Sequence, residues 1–160
     1  MTLTAASDSL CRIIEPNVCP TSKRLLVLEA CKARGIPTVV WLCPVLPYIT
    51  DTEENIKNIV EACAAAGVRG IICFDMGLTL RSGNREYFYH ALDKSFPGLK
   101  ERYIKAYGDA YSLPSPNRNR LMRKFHELCA KFGMETDINR LFSYLSAFEC
   151  KTQGEQLAFF

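Results

Sequence analysis

Short apolar runs separate the helical patterns in the first half of the chain. The runs cover residues 2–7, 36–42 and 68–74, and each is long enough for a β-strand. They are apolar throughout rather than strictly alternating, which is typical of strands covered on both faces. The pattern therefore predicts a β-α-β-α-β unit with parallel strands, because parallel neighbours need a crossover helix between them.

Two helices are predicted between these strands. The first covers 21–34, and Gly35 is placed to end it. The second begins at a capping box around Thr50 and Asp51 and ends at Gly67. Its apolar residues keep the spacing of one buried helical face: Ile56, Ile59, Val60, Cys63 and Ala64.

Helical patterns dominate the chain after Asp75. Residues 76–84 are predicted as a loop, and helices are predicted over 85–96 and 116–132. Asp137 can cap a last helix. The second half is therefore predicted to be mainly helical.

Size and charge indicate an ordinary globular domain. The chain has 160 residues, with 20 basic and 17 acidic side chains and a net charge of +3, which does not by itself indicate a nucleic-acid or membrane surface. No apolar stretch reaches the roughly 18 residues of a membrane helix. The first ten residues, "MTLTAASDSL", lack the pattern of a signal peptide. We therefore expect a cytoplasmic protein.

Eight cysteines are present, and most lie inside the predicted strands and helices. Reduced, buried thiols are the expectation in a cytoplasmic protein. Without a C-x2-C pair or a C-x3-C-x2-C motif, the chain carries no local signature of a zinc site, an iron–sulfur site or a thiol redox site. His126 and Cys129, three positions apart, lack the further ligands that a metal site needs.

The first predicted strand raises a question of completeness. A mostly parallel sheet usually has about five or six strands, and an exposed apolar edge is normally protected. The segment "MTLTAAS" has neither the Lys nor the Pro that protects such edges. We therefore expect that another part of the fold, or another chain, covers an open edge there.

The sequence resembles a known family in several places. The matching features are Thr4, Ser7, Asp8, "EP" at 15–16, "GIP" at 35–37, Pro44, Pro47 and Asp51. Later stretches, "FPGLKERYIKAYG", "CAKFG" and the terminal "QLAFF", add to the likeness. The chain is similar to the second half of radical S-adenosylmethionine (SAM) proteins of the spore-photoproduct-lyase-like group, often called DNA repair photolyases.

The resemblance implies a fold and a function. The expected fold is α/β: residues 1–76 form a partial (β/α) barrel of about three parallel strands with flanking helices, and residues 77–160 form a helical C-terminal extension packed on it. The complete family protein would cleave SAM at a [4Fe–4S] cluster for radical chemistry. Because the cluster motif is missing here, this chain alone is expected to bind no cluster and to be inactive.

Four residues are candidates for the rim that faces SAM or substrate. Thr4, Ser7 and Pro44 follow from the resemblance, and Asp75 ends the third predicted strand on the same rim. In a barrel, this rim carries the active site. The simpler interpretation of each is a chain-end polar residue, a cap, a strand stop or a turn acid.

Two interpretations of function stay open. The chain is either the C-terminal portion of a radical SAM enzyme or an autonomous small α/β binding or interaction module. A nucleic-acid partner is implied by the family label only. The basic residues Arg118, Arg120, Arg123 and Lys124 are more typical of a solvated helix face.

Overall fold

The computed structural model describes residues 1–147. Helices form most of this part. They are α1 (Asp8–Ile14), α2 (Thr21–Ala33), α3 (Glu53–Ala65), α4 (Asn84–Ser95), α5 (Leu99–Tyr107), α6 (Arg118–Lys131) and α7 (Ile138–Ser146). The strands are β1 (Val39–Trp41), β2 (Gly70–Ile72), β3 (Gly77–Thr79) and β4 (Ser112–Pro114). Phe148, Cys150 and the terminal "QLAFF" lie outside the described residues.

The strands form two small sheets. β1 pairs with β2 in parallel, with Val40 opposite Ile71. β3 pairs with β4 in antiparallel fashion, with Leu78 opposite Leu113. Single parallel bridges extend the first sheet on both sides, from Thr2 to Trp41 and from Glu135 to Gly70.

The predicted partial barrel is wrong. The described residues hold two sheets of two strands each, and one of them is antiparallel. The predicted strand 2–7 shrinks to one bridge at Thr2, because three of its carbonyls bond to side chains instead of to a strand. Thr2 accepts from Arg24, Thr4 from Asn55 and Ala5 from Thr21. At the bridge, the Leu3 amide donates to the Trp41 carbonyl at 2.9 Å and the Trp41 amide donates to the Met1 carbonyl at 2.8 Å. Beyond it, the Thr4 and Ala5 carbonyls have side-chain partners in place of a neighbouring strand.

The expected open apolar edge is also absent. Leu3 and Ala5 are fully buried and Thr4 is 2% exposed. Helices α2 and α3 supply the side chains that bond to this segment. The first residues are therefore shielded by the chain itself, and the prediction of an uncovered apolar strand is wrong.

Several helix predictions agree with the structure at the level of whole elements. The predicted helices 21–34, 85–96 and 116–132 appear as α2, α4 and α6. Asp137 accepts a hydrogen bond from the Arg140 amide at the start of α7. The cap of α3 differs from the expectation.

Thr52, rather than Thr50 or Asp51, caps α3. Its hydroxyl accepts from the Asn55 amide at 3.1 Å. Thr50 instead accepts from the Leu46 amide at 2.7 Å, and Asp51 accepts from the Ser115 hydroxyl at 2.6 Å. The capping-box residues thus fix the loop before the helix.

Two main apolar cores hold the elements together. The larger one lies between the parallel sheet and helices α2, α3 and α6, and it includes Val40, Ile71 and Phe125. The second lies beneath α4 and α5 and centres on Tyr103, Leu92 and Leu113. Because α6 packs on α3, the helical second half shares its core with the first.

Candidate functional site

A cavity of about 630 Å³ opens between the end of α1, the loop after β1, and α4. This volume is within the range of sites for small organic molecules, roughly 300–1,000 Å³. Its walls are largely apolar side chains: Ile14, Leu46, Ile49, Leu78, Leu92 and Phe96. The cavity is therefore large enough and apolar enough to enclose a small organic molecule.

The loop after β1 is fixed by hydrogen bonds at both of its ends. Leu42 makes the last bond to β2, from its amide to the Ile72 carbonyl at 2.9 Å. Pro44 has no amide to continue the ladder. The Val45 amide then donates to the Gly77 carbonyl at 3.1 Å, which ties the loop to β3. Pro44 and Leu46 consequently form one wall of the cavity.

Tyrosines from α5 hold the far end of this loop. The Tyr103 hydroxyl donates to the Pro47 carbonyl. Tyr48 adopts a positive φ of 63°, which is uncommon outside glycine. Its ring packs edge-on against Tyr103, and the Arg102 guanidinium lies 3.8 Å from the ring centroid. Burial raises the pKa of the Tyr103 phenol, so this hydroxyl stays a donor.

Thr4 brings an unused hydroxyl to the cavity. Its residue is 2% exposed and lines the cavity, while its carbonyl accepts from Asn55 at 3.1 Å. The side-chain hydroxyl makes no hydrogen bond to any described residue. Every fully buried side-chain nitrogen or oxygen in residues 1–147 has a partner, so this oxygen retains accessible surface. This accessible hydroxyl is free to form a hydrogen bond with a bound ligand.

Positive charge surrounds the mouth of the cavity. Arg12, His90 and Lys94 line it and are exposed. Glu15 also lines it, but its carboxylate lies 3.2 Å from the Arg24 guanidinium. The one carboxylate in the wall is therefore already paired, and the remaining charged side chains are basic.

The structure brings together two of the four predicted rim residues. Thr4 and Pro44 line the same cavity, although 40 positions separate them. Ser7 lines a separate cavity of about 220 Å³, and its hydroxyl caps α1 by accepting from the Leu10 amide at 3.4 Å. Asp75 accepts from the Met76 amide and pairs with Arg118 at 2.6 Å, away from the cavity wall.

Sequence reasoning missed the contribution of α4. Phe88, Leu92 and Phe96 recur every four residues and face the cavity together with Lys94. The same spacing predicted the helix but did not reveal which surface the helix covers. His90 was uninformative in the sequence, and only the packing of α4 places it at the cavity mouth.

The described residues do not fit an iron–sulfur cluster. Within residues 1–147, no group of three or more His, Cys, Asp and Glu side chains could hold a metal ion. Burial raises the pKa of the Cys63, Cys73 and Cys129 thiols to about 12. Cluster ligands are thiolates, so these protonated thiols are core residues.

The expectation of buried, reduced thiols holds for four of the seven described cysteines. Cys11, Cys63, Cys73 and Cys129 are buried and free. Cys31 and Cys43 are half-buried, and Cys19 is exposed. Seven described cysteines thus form no disulfide with one another.

The basic residues of α6 are largely engaged with acids. Arg118 pairs with Asp75, Arg120 with Glu53 at 3.1 Å, and Lys124 with Glu127 at 3.6 Å. All these pairs are at the surface, where each contributes little energy. The arrangement is that of a solvated helix face.

Comparison with known proteins gives relatives without an assigned activity. Uncharacterized proteins from Mycobacterium bovis and Mycobacterium tuberculosis are each 31% identical to the chain over 137 residues. The match covers 86% of this chain but 40% of each relative, so the chain spans less than half the length of the curated relatives it matches. No protein-family model and no solved structure matches the chain.

None of the helices within residues 1–147 combines the length and the apolar character needed to cross a membrane.

Proposed function

We propose that the chain forms the substrate-binding part of a radical SAM enzyme similar to the spore-photoproduct-lyase-like group. In this proposal the [4Fe–4S] cluster, which supplies reductive cleavage of SAM, is held by polypeptide other than these 160 residues. The proposed location is the cytoplasm. By itself the chain binds ligand but does not catalyse the reaction.

The observation that carries the binding role is the Thr4 hydroxyl. It is nearly buried, it has no partner among the described residues, and it lies in a cavity of about 630 Å³ with Pro44. The resemblance implies that both residues lie on the rim that faces SAM or substrate. The class of enzyme rests on the resemblance, and the binding role rests on the cavity.

The missing cluster motif is consistent with a chain that works together with a second, cluster-binding polypeptide. The sequence has no C-x3-C-x2-C, and the described residues offer no alternative set of ligands. The mycobacterial relatives are more than twice as long as the matched stretch, which leaves room in them for a further part.

Anaerobic reconstitution tests whether a polypeptide other than this chain holds the cluster. The purified chain, incubated with iron and sulfide, is expected to stay colourless and to leave SAM intact. The coding DNA next to this gene is expected to encode a C-x3-C-x2-C polypeptide, and adding that polypeptide should give a brown complex that cleaves SAM. A chain that forms a cluster unaided would refute the two-part proposal, and so would the absence of any such neighbouring motif.

An autonomous binding module is the second candidate. The burial of Leu3, Thr4 and Ala5 by the chain's own helices favours it, because no apolar strand edge requires a partner. In that case the chain should be a monodisperse monomer that unfolds in one cooperative step and binds its ligand at full affinity without a second polypeptide.

A further inference from the structure

The charges around the cavity discriminate between the two ligands that a radical SAM enzyme must hold. SAM carries a sulfonium and an ammonium group against a single carboxylate, so its net charge is positive. The cavity wall contains Arg12, Lys94 and the imidazole of His90. A cationic ligand would therefore meet like charges at the mouth.

Nearby acids offset these basic groups only in part. Asp8 accepts two hydrogen bonds from Ser22, at 2.9 and 2.6 Å, and lies 3.9 Å from Arg12, whose side chain is 65% exposed. Asp93, next to Lys94 in the sequence, pairs with Lys100 at 2.7 Å. Asp8 therefore offsets part of the Arg12 charge across this long contact, whereas Asp93 is paired with Lys100 and not with Lys94.

Lys94 has no partner at all among residues 1–147. The same is true of His90, which follows one turn after the exposed Glu86 on α4. Glu86 does not line the cavity. Glu15 does, but Arg24 neutralises it at 3.2 Å. The free charge at the mouth is therefore positive.

The interior of the cavity has the opposite character. Leu46, Leu78, Leu92 and Phe96 give an apolar lining, and Thr4, which is 2% exposed, adds an unpartnered hydroxyl to it. A matching ligand has an apolar body, one group that can bond to a hydroxyl, and a negative charge at its outer end.

We propose that this cavity binds a small organic anion, with its carboxylate or phosphate ester between Arg12 and Lys94 and its apolar body against α4. The cavity is then a substrate site rather than a SAM site. This inference rests on the proposed function for its ligand-binding role, and the test below separates the two.

Two fluorescent dyes with the same ring skeleton test whether the cavity prefers an anionic ligand. Anilinonaphthalene sulfonate is anionic, and N-phenylnaphthylamine is its neutral counterpart. In the double variant Arg12→Gln, Lys94→Gln, the Kd of the sulfonate dye is expected to rise roughly fivefold, because exposed ion pairs contribute modestly. The Kd of the neutral dye should stay within about twofold. Lys105→Gln, an exposed lysine of α5 outside the cavity wall, should change neither.

Phosphate esters and carboxylates are then compared as competitors. Naphthyl phosphate and naphthoate should both displace the sulfonate dye, and the tighter of the two identifies the anionic group. Naphthylmethylamine, a cation, should displace it poorly. Equal displacement by the cation would overturn the inference.

The remaining outcomes separate the inference from the proposed function. If both dyes bind and the double variant weakens them equally, or weakens neither, the cavity is a ligand site without anion preference and the inference is wrong. Ala91→Trp and Ser95→Trp place a large ring in the cavity wall and should abolish binding of both dyes. If neither dye binds to the native chain, or both tryptophan variants still bind them, the cavity is not a binding site and the proposed binding role fails as well.

Discussion

The side-chain amide of Asn55 donates to the carbonyl of Thr4 at 3.1 Å, across 51 positions of sequence. The same amide donates to the Thr50 carbonyl at 3.0 Å, and its oxygen accepts from the Ala6 amide at 2.8 Å. One side chain at the start of α3 therefore fixes the first segment and the loop after β1 together. These two pieces of chain carry Thr4 and Pro44 into the cavity.

Replacing Asn55 should destabilise the fold substantially. In Asn55→Ala, three partly buried backbone groups lose their partner, which we expect to lower the free energy of unfolding by about 2–4 kcal/mol. Urea unfolding followed by circular dichroism measures this. Asn58→Ala, one turn later on the exposed side of α3, is the matched control and should cost less than about 0.5 kcal/mol. Equal effects of the two variants would contradict the clamping role.

Arg24 should be similarly important for the first segment. Its residue is 8% exposed, its Nε donates to the Cys19 carbonyl at 2.6 Å, and its Nη1 donates to the Thr2 carbonyl at 2.9 Å. It also pairs with Glu15. Arg24→Met leaves these partly buried groups without a partner, and we expect a loss of about 2–4 kcal/mol.

The neighbouring Lys23 gives the control for that change. Lys23→Met alters an exposed side chain on the same helix and should leave the unfolding midpoint in urea nearly unchanged. Arg24→Lys should lose much of the stability too, since a single ammonium cannot reproduce the forked donor set. Full stability in Arg24→Lys would mean that charge alone matters at this position.

The Ser115–Asp51 hydrogen bond joins the loop before α3 to the segment before α6. The Ser115 hydroxyl donates to Asp51 Oδ2 at 2.6 Å, and both residues are at most 5% exposed. Ser115→Ala should lower the free energy of unfolding by about 1.5–3 kcal/mol, because a buried carboxyl loses its donor. Thermal unfolding measures this loss. The control is Ser112→Ala, which changes an exposed serine of β4. A loss no larger than in that control would show that Asp51 finds another donor.

Alkaline pH should destabilise the chain through its buried thiols. Burial raises the pKa of Cys63, Cys73 and Cys129 from an ordinary 9.0 to about 12. Between these values the unfolded chain has released protons that the folded chain retains. The free energy of unfolding is therefore unaffected below 9 and falls as pH rises toward 12, by about 1.4 kcal/mol per pH unit for each thiol.

Urea titrations under reducing conditions at several alkaline pH values measure this slope. Cys63→Ala should make the slope shallower by the contribution of about one proton. Burial also raises the pKa of the Tyr103 and Tyr107 phenols, which adds to the fall at the highest pH. A stability that stays constant or increases through this range would contradict the burial of the thiols.

The sequence predicted local elements better than their assembly. Helical spacing and glycine stops located α2, α3, α4 and α6, because these signals lie within the element itself. The partial barrel was wrong because strand pairing depends on distant partners. Nothing in "MTLTAAS" reveals that Arg24 and Asn55 occupy the carbonyls that a neighbouring strand would use.

The candidate site was also predicted only in part. Thr4 and Pro44 were predicted from the resemblance, and the structure places both at one cavity. Ser7 and Asp75 have local roles in a helix cap and an ion pair. Lys94 and Phe88 could not be found from sequence, since their part in the cavity depends on how α4 packs over the loop after β1.

Mapping by nuclear magnetic resonance tests the central claim, that the cavity beside Thr4 is the ligand site of this chain. An isotope-labelled sample is titrated with anilinonaphthalene sulfonate, and amide shifts are followed residue by residue. The largest shifts are expected at Thr4, Leu46 and Leu92. Largest shifts instead at Phe74 and Phe142, whose exposed rings pack around Trp41 on the far side of β1, would contradict the claim.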